Sequence, residues 1–411
     1  MSDSKSSKPK NSQGPLSRRL DGVSESATLK LNATVQAMKA RGEDVINLTA
    51  GEPDFNVPDA AKEAVIESLQ KNRSKYTPAP GITELREAIA AKTNAQQPEV
   101  VRSQAWKAAN VIVTNGGKQA LFNSMLALLD PGDEVLIPTP YWLSYPEMVK
   151  LAGGIPKFIP STLANQFKIQ PEQLKNALSS KVKILILNSP SNPTGSLYSK
   201  AEFAALAEVI QSTPGAENTW VVSDEIYDRI ILGDTPFCSF LNAAPGLRDR
   251  TVTVNGMSKS AAMTGWRIGW SVAPENVTQG MITLQGQSTS GINSLAQWAS
   301  LAALKLPDSY FEQGLQIYRK RCKLMLEILR KARKIEVMAP EGAFYVFIGV
   351  KDYMRAGEDS IAFAQRVLEE AKVALVPGTP FGEPEFLRLS FATDEQSIQN
   401  GCERLVKYLE K

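Results

Sequence analysis

A β-branched run, Thr251–Val254, leads into Asn255-Gly256-Met257-Ser258-Lys259, and Arg267 follows the lysine within Met263-Thr264-Gly265-Trp266-Arg267-Ile268-Gly269. Lysine forms a Schiff base with an aldehyde once its amine has lost a proton. Arginine forks onto phosphate through paired N–H groups, and the Ser258 hydroxyl can add a further donor. An aldehyde and a phosphate on one small cofactor point to pyridoxal phosphate. A lysine in a polar loop is, by itself, a solvated charge, so this reading needs partners elsewhere in the chain.

Five segments offer them. Val111-Ile112-Val113-Thr114-Asn115-Gly116-Gly117-Lys118 reads as strand, glycine pair and helix start, where backbone N–H groups cradle phosphate; a plain glycine turn is the alternative. It is neither a GxGxxG nor a Walker sequence, which disfavours a nucleotide. Asn188-Ser189-Pro190-Ser191-Asn192-Pro193-Thr194-Gly195 is a rigid loop that can present the Asn192 amide to a ligand oxygen, or it is only a turn. In Val221-Val222-Ser223-Asp224-Glu225-Ile226-Tyr227 a carboxylate ends an apolar strand. A buried Asp224 needs a cation, and a protonated pyridine nitrogen is one. Tyr227 could then reach the ring's phenolic oxygen, or be a core tyrosine. Arg388, in Leu387-Arg388-Leu389-Ser390-Phe391, alternates with apolar residues and calls for an anion, either a substrate carboxylate or a structural salt bridge. Trp142 follows another strand end and could stack on a planar ring or simply pack.

Bulk composition narrows the chemistry. The 411 residues contain no histidine. That removes Ser-His-Asp and Cys-His hydrolases, HExxH proteases and most zinc sites, and no metal is expected. A net charge of +3 with 22% charged residues gives no case for nucleic acid or a membrane surface. Cys238, Cys322 and Cys402 form no CxxC pair and read as thiols of a reducing compartment, so a cytoplasmic location is expected.

These residues need a scaffold, and 43% hydrophobic content is enough for more than one domain. Short apolar runs at Val111–Thr114, Glu134–Pro138, Ile184–Leu187, Trp220–Ser223, Thr251–Val254 and Ile268–Val272 predict an α/β, mostly parallel sheet covered on both faces. Ligands collect at the carboxyl ends of such strands. A long helical stretch is expected from Ser294 to about Lys334. Strands follow at Phe344–Ile348 and Leu387–Phe391, with helices at Ser360–Ala371 and about Asp394–Glu410. The predicted division is a disordered tail over 1–15, an N-terminal segment over 16–55 packing with the smaller domain, a large cofactor domain over 56–300 and a small α+β domain over 301–411.

Taken together, Leu48-Thr49-Ala50-Gly51-Glu52-Pro53-Asp54-Phe55, Lys75-Tyr76-Thr77-Pro78-Ala79-Pro80-Gly81, the glycine turn, Asn192-Pro193-Thr194-Gly195, Asp224–Tyr227, the Lys259 segment and Arg388 resemble the class I and II aminotransferases of pyridoxal-phosphate fold type I. The bacterial-type aspartate aminotransferases are the subgroup most similar. The resemblance implies a seven-stranded, mostly parallel sheet in the large domain and a homodimer. It implies ping-pong amino transfer between an L-amino acid, aspartate first, and 2-oxoglutarate. Lys259 would hold the cofactor and shuttle the proton, Asp224 would pair with the ring nitrogen, Tyr227 and Asn192 would bond the ring oxygen, and Trp142 would stack on the ring. Gly116, Gly117, Ser258 and Arg267 would hold the phosphate, joined by Tyr76 from a neighbouring subunit. Gly51 and Arg388 would hold the α-carboxylate, and Lys118 a distal carboxylate. Lys118 as an ordinary first-turn helix lysine is the alternative. Gly256 replaces a phosphate-binding serine of many relatives, and Ser24 replaces a lysine that some carry near the substrate. Aromatic, neutral or prephenate-type substrates, or C–S β-lysis, are the alternatives within enzymes. A regulatory pyridoxal-phosphate domain is the alternative outside them, and the short stretch before the fold leaves it no DNA-binding domain.

Overall fold

The computed structural model describes residues 16–25, 27–96 and 105–411; the tail expected over 1–15 lies outside them. Seven strands form the larger sheet in the order Val111–Asn115, Ile268–Val272, Thr251–Gly256, Trp220–Asp224, Val182–Asn188, Glu134–Pro138 and Ile155–Ile159. Along Val182–Asn188, Ile184 and Ile186 pack with Ala120, Met125 and Val254, whereas Leu185 and Leu187 pack with Phe203 and Ile210. Successive side chains point to opposite faces of a strand, so both faces are covered and the strand reads as one apolar run.

Ile155–Ile159 is absent from the sequence expectation. Pro156 and Lys157 interrupt its apolar pattern, and Ile155 and Phe158 are exposed. It occupies the sheet edge, where proline and a charge are tolerated and block further pairing.

Ile268–Val272 runs antiparallel to both neighbours, while the other strands are mutually parallel. That reversal matters for the site. Ile268 pairs with Asn115, and Gly269 with Gly256. The start of this strand therefore lies beside the carboxyl ends of its neighbours, and Arg267 arrives where the other motifs end.

A second sheet is antiparallel, in the order Val376–Pro377, Phe386–Ser390, Tyr345–Gly349 and Glu336–Val337. The single helix expected from Ser294 to about Lys334 is two, Ser294–Leu304 and Asp308–Leu329. Pro307 separates them, because proline cannot donate to the preceding turn. Ser360–Ala371 and Glu395–Leu409 form the remaining helices, capped by the side chains of Asp359 and Asp394. Ile46–Asn47 pairs in parallel with Val373–Ala374. Val35, Met38 and Val45 pack with Leu368 and Ala374, so the chain leading to Gly51 is carried on this second sheet's side of the molecule. No described helix is long and apolar enough to cross a membrane.

Candidate active site

A cavity of about 570 Å³ opens at the carboxyl ends of the parallel strands, bounded by both sheets and by the helix Ala27–Ala40. Gly51, Gly117, Lys118, Trp142, Asn192, Asp224, Tyr227, Ser258, Lys259, Arg267 and Arg388 all line it. Gly116 adjoins it as the residue before the helix Gly117–Leu128. Tyr76 is fully exposed and lies outside this cavity.

Lys259 sits on the one-turn helix Met257–Ser260, which follows the strand Thr251–Gly256. Its amine donates to the Gly51 carbonyl. Burial, reinforced by the Arg388 guanidinium, pulls its pKa down to about 8. A neutral amine is therefore accessible near neutral pH, as Schiff-base chemistry requires.

Asp224 closes the strand Trp220–Asp224 and is almost completely buried. Its Oδ2 accepts from the Tyr145 hydroxyl at 2.6 Å and its Oδ1 from the Ile226 amide at 3.2 Å. Burial outweighs both donors and raises the carboxyl to about 6. Among the described residues no cation stands within 4.0 Å of it. A buried carboxylate facing a cavity without a counter-ion fits a protonated ring nitrogen.

Three backbones meet where the phosphate would lie. Gly116 has φ +81°, and a Cβ there would stand 2.5 Å from an Arg267 guanidinium nitrogen. A Cβ on Gly269 would stand 2.2 Å from the Gly117 amide nitrogen. Both positions thus need glycine for the helix start, the arginine and the reversed strand to touch. Arg267 donates to the carbonyls of Thr264 at 3.0 Å and Asn115 at 3.1 Å, which fixes its fork beside the free amides of the helix. Gly256 also has no room for a side chain, since a Cβ would stand 2.8 Å from the Ile268 carbonyl oxygen.

Arg388 lies on the fully buried strand Phe386–Ser390. It donates to Asn192 Oδ1 at 2.9 Å and to the Thr49 carbonyl at 3.2 Å, while its Nε is buried without a partner. No carboxylate stands within 4.0 Å among the described residues, so the salt-bridge alternative has no partner there. A buried guanidinium held only by neutral oxygens is suited to an incoming carboxylate. The Lys118 amine lies 4.9 Å from the centre of the Trp142 ring, and burial followed by Arg267 holds it below the usual lysine range.

The sequence reading missed two tyrosines. Tyr145 holds Asp224 and meets Trp142 edge to face at 5.4 Å. Tyr345 reaches the Tyr227 hydroxyl at 2.9 Å. Neither carries a local signal: Tyr145 stands between Ser144 and Pro146, and Tyr345 is one of three aromatic residues in Phe344-Tyr345-Val346-Phe347. Gly269 did carry one, because a glycine inside a strand pattern marks close backbone approach.

Comparison with known proteins agrees with this geometry. A family model described as aminotransferase class I and II matches residues 43–405. The probable aspartate/prephenate aminotransferase of Rhizobium leguminosarum bv. phaseoli is 41% identical over 400 residues, covering 96% of this chain and 98% of that protein. The aspartate aminotransferase of Bacillus subtilis (strain 168) is 40% identical over 398 residues, covering 96% and 99%. Among solved structures, the aspartate aminotransferase of Thermus thermophilus with maleate matches with a TM-score of 0.89 at 39% identity, over 96% of this chain and 100% of that one. By fold, cavity and sequence, the chain belongs to the class I and II aminotransferase family.

Proposed function

We propose that the chain binds pyridoxal phosphate through Lys259 and transfers the amino group of L-aspartate to 2-oxoglutarate by a ping-pong route, working as a cytoplasmic homodimer with Tyr76 reaching the neighbouring site. The observation that carries this reading is the joint enclosure of three unneutralised groups, Lys259, Asp224 and Arg388, in one cavity. Each lacks a partner that one part of the cofactor–substrate pair would provide. When bound, the cofactor supplies an electron sink for charge released at the substrate's α-carbon.

The remaining work falls to the protein. Asp224, oriented by Tyr145, keeps the ring nitrogen protonated. Tyr227 and Asn192 would donate to the ring oxygen, and Trp142 would pack against the ring. Gly116, Gly117, Ser258 and Arg267 hold the phosphate. Arg388 and the Gly51 backbone fix the α-carboxylate, which presents the α-proton to the neutral Nζ of Lys259. The proposed division of labour between domains follows from this: the part over 56–300 carries the cofactor, and the parts over 16–55 and 301–411 carry the carboxylate clamp.

Lys118 supports the choice of aspartate. Lys118 lines the cavity wall, is exposed to solvent there and has no carboxylate within 4.0 Å among the described residues, so a distal substrate carboxylate would complete it. The names of the relatives above support the same choice. The test is a panel of amino donors with 2-oxoglutarate, run on the native protein and on Lys118→Ala. Loss of a charge-assisted bond of about 1.5–3 kcal/mol should raise KM for aspartate about 10- to 150-fold and leave an aromatic donor nearly unchanged. Equal effects on both donors would remove the assignment to aspartate.

A further inference from the structure

Tyr345 begins the strand Tyr345–Gly349 and pairs in register with Ser390 of the strand that carries Arg388. It is fully buried. Its hydroxyl lies 2.9 Å from the Tyr227 hydroxyl, and the Arg388 guanidinium lies over its ring at 4.2 Å. A Cβ on Gly51 would stand 3.9 Å from the same hydroxyl. One side chain thus touches the residue assigned to the ring oxygen and the one assigned to the substrate carboxylate. A phenylalanine would fill the space and keep the contact with Arg388. Packing accounts for the ring and leaves the hydroxyl to be explained.

We propose that Tyr345 is a positioning residue that couples carboxylate binding at Arg388 to the hydrogen bond Tyr227 makes with the ring oxygen; this rests on the pyridoxal-phosphate reading above. Each phenol has one proton and spare acceptor capacity. When Tyr227 donates its proton to the ring oxygen, its own oxygen is free to accept, and Tyr345 is the donor in reach. Hydrogen bonds in series polarise one another. A guanidinium over an aromatic face draws on its electrons, so Arg388 strengthens Tyr345 as a donor and, through it, Tyr227. A substrate carboxylate that neutralises Arg388 weakens this pull, and the ring oxygen then takes up a proton more readily. A second route exists through Asn192, whose Oδ1 accepts from Arg388 at 2.9 Å. The other titratable groups facing the pair are Lys259, 6.0 Å from the centre of the Tyr227 ring, Asp224 and Tyr318. Replacing Tyr345 by phenylalanine leaves all three side chains in place and removes only the small effect of the Tyr345 hydroxyl on Tyr318.

The experiment is a pH titration of the visible cofactor band in native holoenzyme and in Tyr345→Phe, each with and without maleate, a dicarboxylate with no amino group to transfer. Loss of one neutral hydrogen bond should raise the apparent pKa of the band by about 0.5–1, a three- to tenfold change in the proton equilibrium. The further rise that maleate causes in the native protein should be smaller in the variant. Arg388 also acts directly on Lys259, so in an Asn192→Ala background, which lacks the second hydrogen-bonded route, Tyr345→Phe should remove a larger share of the maleate-dependent rise and leave only the part due to that direct field. A hydroxyl that only fills space would lower thermal stability and leave both spectral quantities unchanged, and that result would overturn the proposal. Absence of any cofactor band in the native protein would instead overturn the reading beneath it.

Discussion

The state of the Lys259 amine gives the most direct quantitative test of the site. Its pKa of about 8, against an ordinary 10.5, leaves about one amine in five neutral at pH 7.4, whereas an ordinary lysine has about one in 1,300. At that pH Lys259 in cofactor-free protein should therefore hold about 250 times as much neutral amine as a surface lysine and react faster with a small neutral aldehyde that carries no phosphate. Brief exposure followed by borohydride, with mass spectrometry of the Lys259 peptide, measures the rate. Between pH 6 and pH 10 it should rise with the neutral fraction and level off with a midpoint near 8. Arg388→Gln removes the second cause of the depression, so the midpoint should move upward. It should stay below 10.5, because burial is the larger cause and remains. A native midpoint above 9.5, or one that Arg388→Gln leaves in place, would refute the electrostatic account of how this lysine is prepared.

Two further outcomes test the supports of the cavity. Tyr145→Phe removes the 2.6 Å donor to Asp224, so its carboxyl should climb further above about 6 and fewer copies should carry charge at neutral pH. Loss of a bond to a charged group costs about 1.5–3 kcal/mol, so the cofactor dissociation constant should rise at least about tenfold. The acid limb of binding should move to higher pH, and equilibrium dialysis between pH 5 and pH 8 would disprove this if the two proteins coincide. Gly269→Ala forces a methyl to 2.2 Å from the Gly117 nitrogen, a backbone atom that cannot swing aside. A loss of about 1–3 kcal/mol in denaturant unfolding and weaker cofactor retention are expected. Gly286→Ala is the control, with open space around it in the helix Glu275–Ser288, and should be neutral or slightly stabilising.

What was legible in the sequence follows from which interactions are local. A strand, a turn and the polar residue at its end lie within ten positions, so Asp224, Asn192, Lys259 and the Gly116–Gly117 turn could each be read where they stand. The chemistry was legible for the same reason, because few cofactors need a lysine, a phosphate fork and a buried carboxylate together. What could not be read was pairing across the fold. Tyr145 meets Asp224 from 79 positions away and Tyr345 meets Tyr227 from 118, with no periodicity linking either pair. The edge strand Ile155–Ile159 escaped for the opposite reason. Its sequence is shaped by exposure, and an exposed strand lacks the apolar run by which buried strands are recognised.

The reversed strand Ile268–Val272 joins these two kinds of information. Its apolar residues and the glycine at 269 were visible in the sequence, but its direction was not, and direction decides the site. Run parallel to its neighbours, the same five residues would bury equally well. Arg267 would then lie at the opposite edge of the sheet, some five residues or about 17 Å away. The helix start at Gly117 would lose the arginine beside it, and Gly269 would have no backbone to approach. The register of Ile268 with Asn115 and of Gly269 with Gly256 is therefore as much a part of the site as Lys259 is. A lysine and an arginine eight positions apart line one cavity because the strand that follows them turns back.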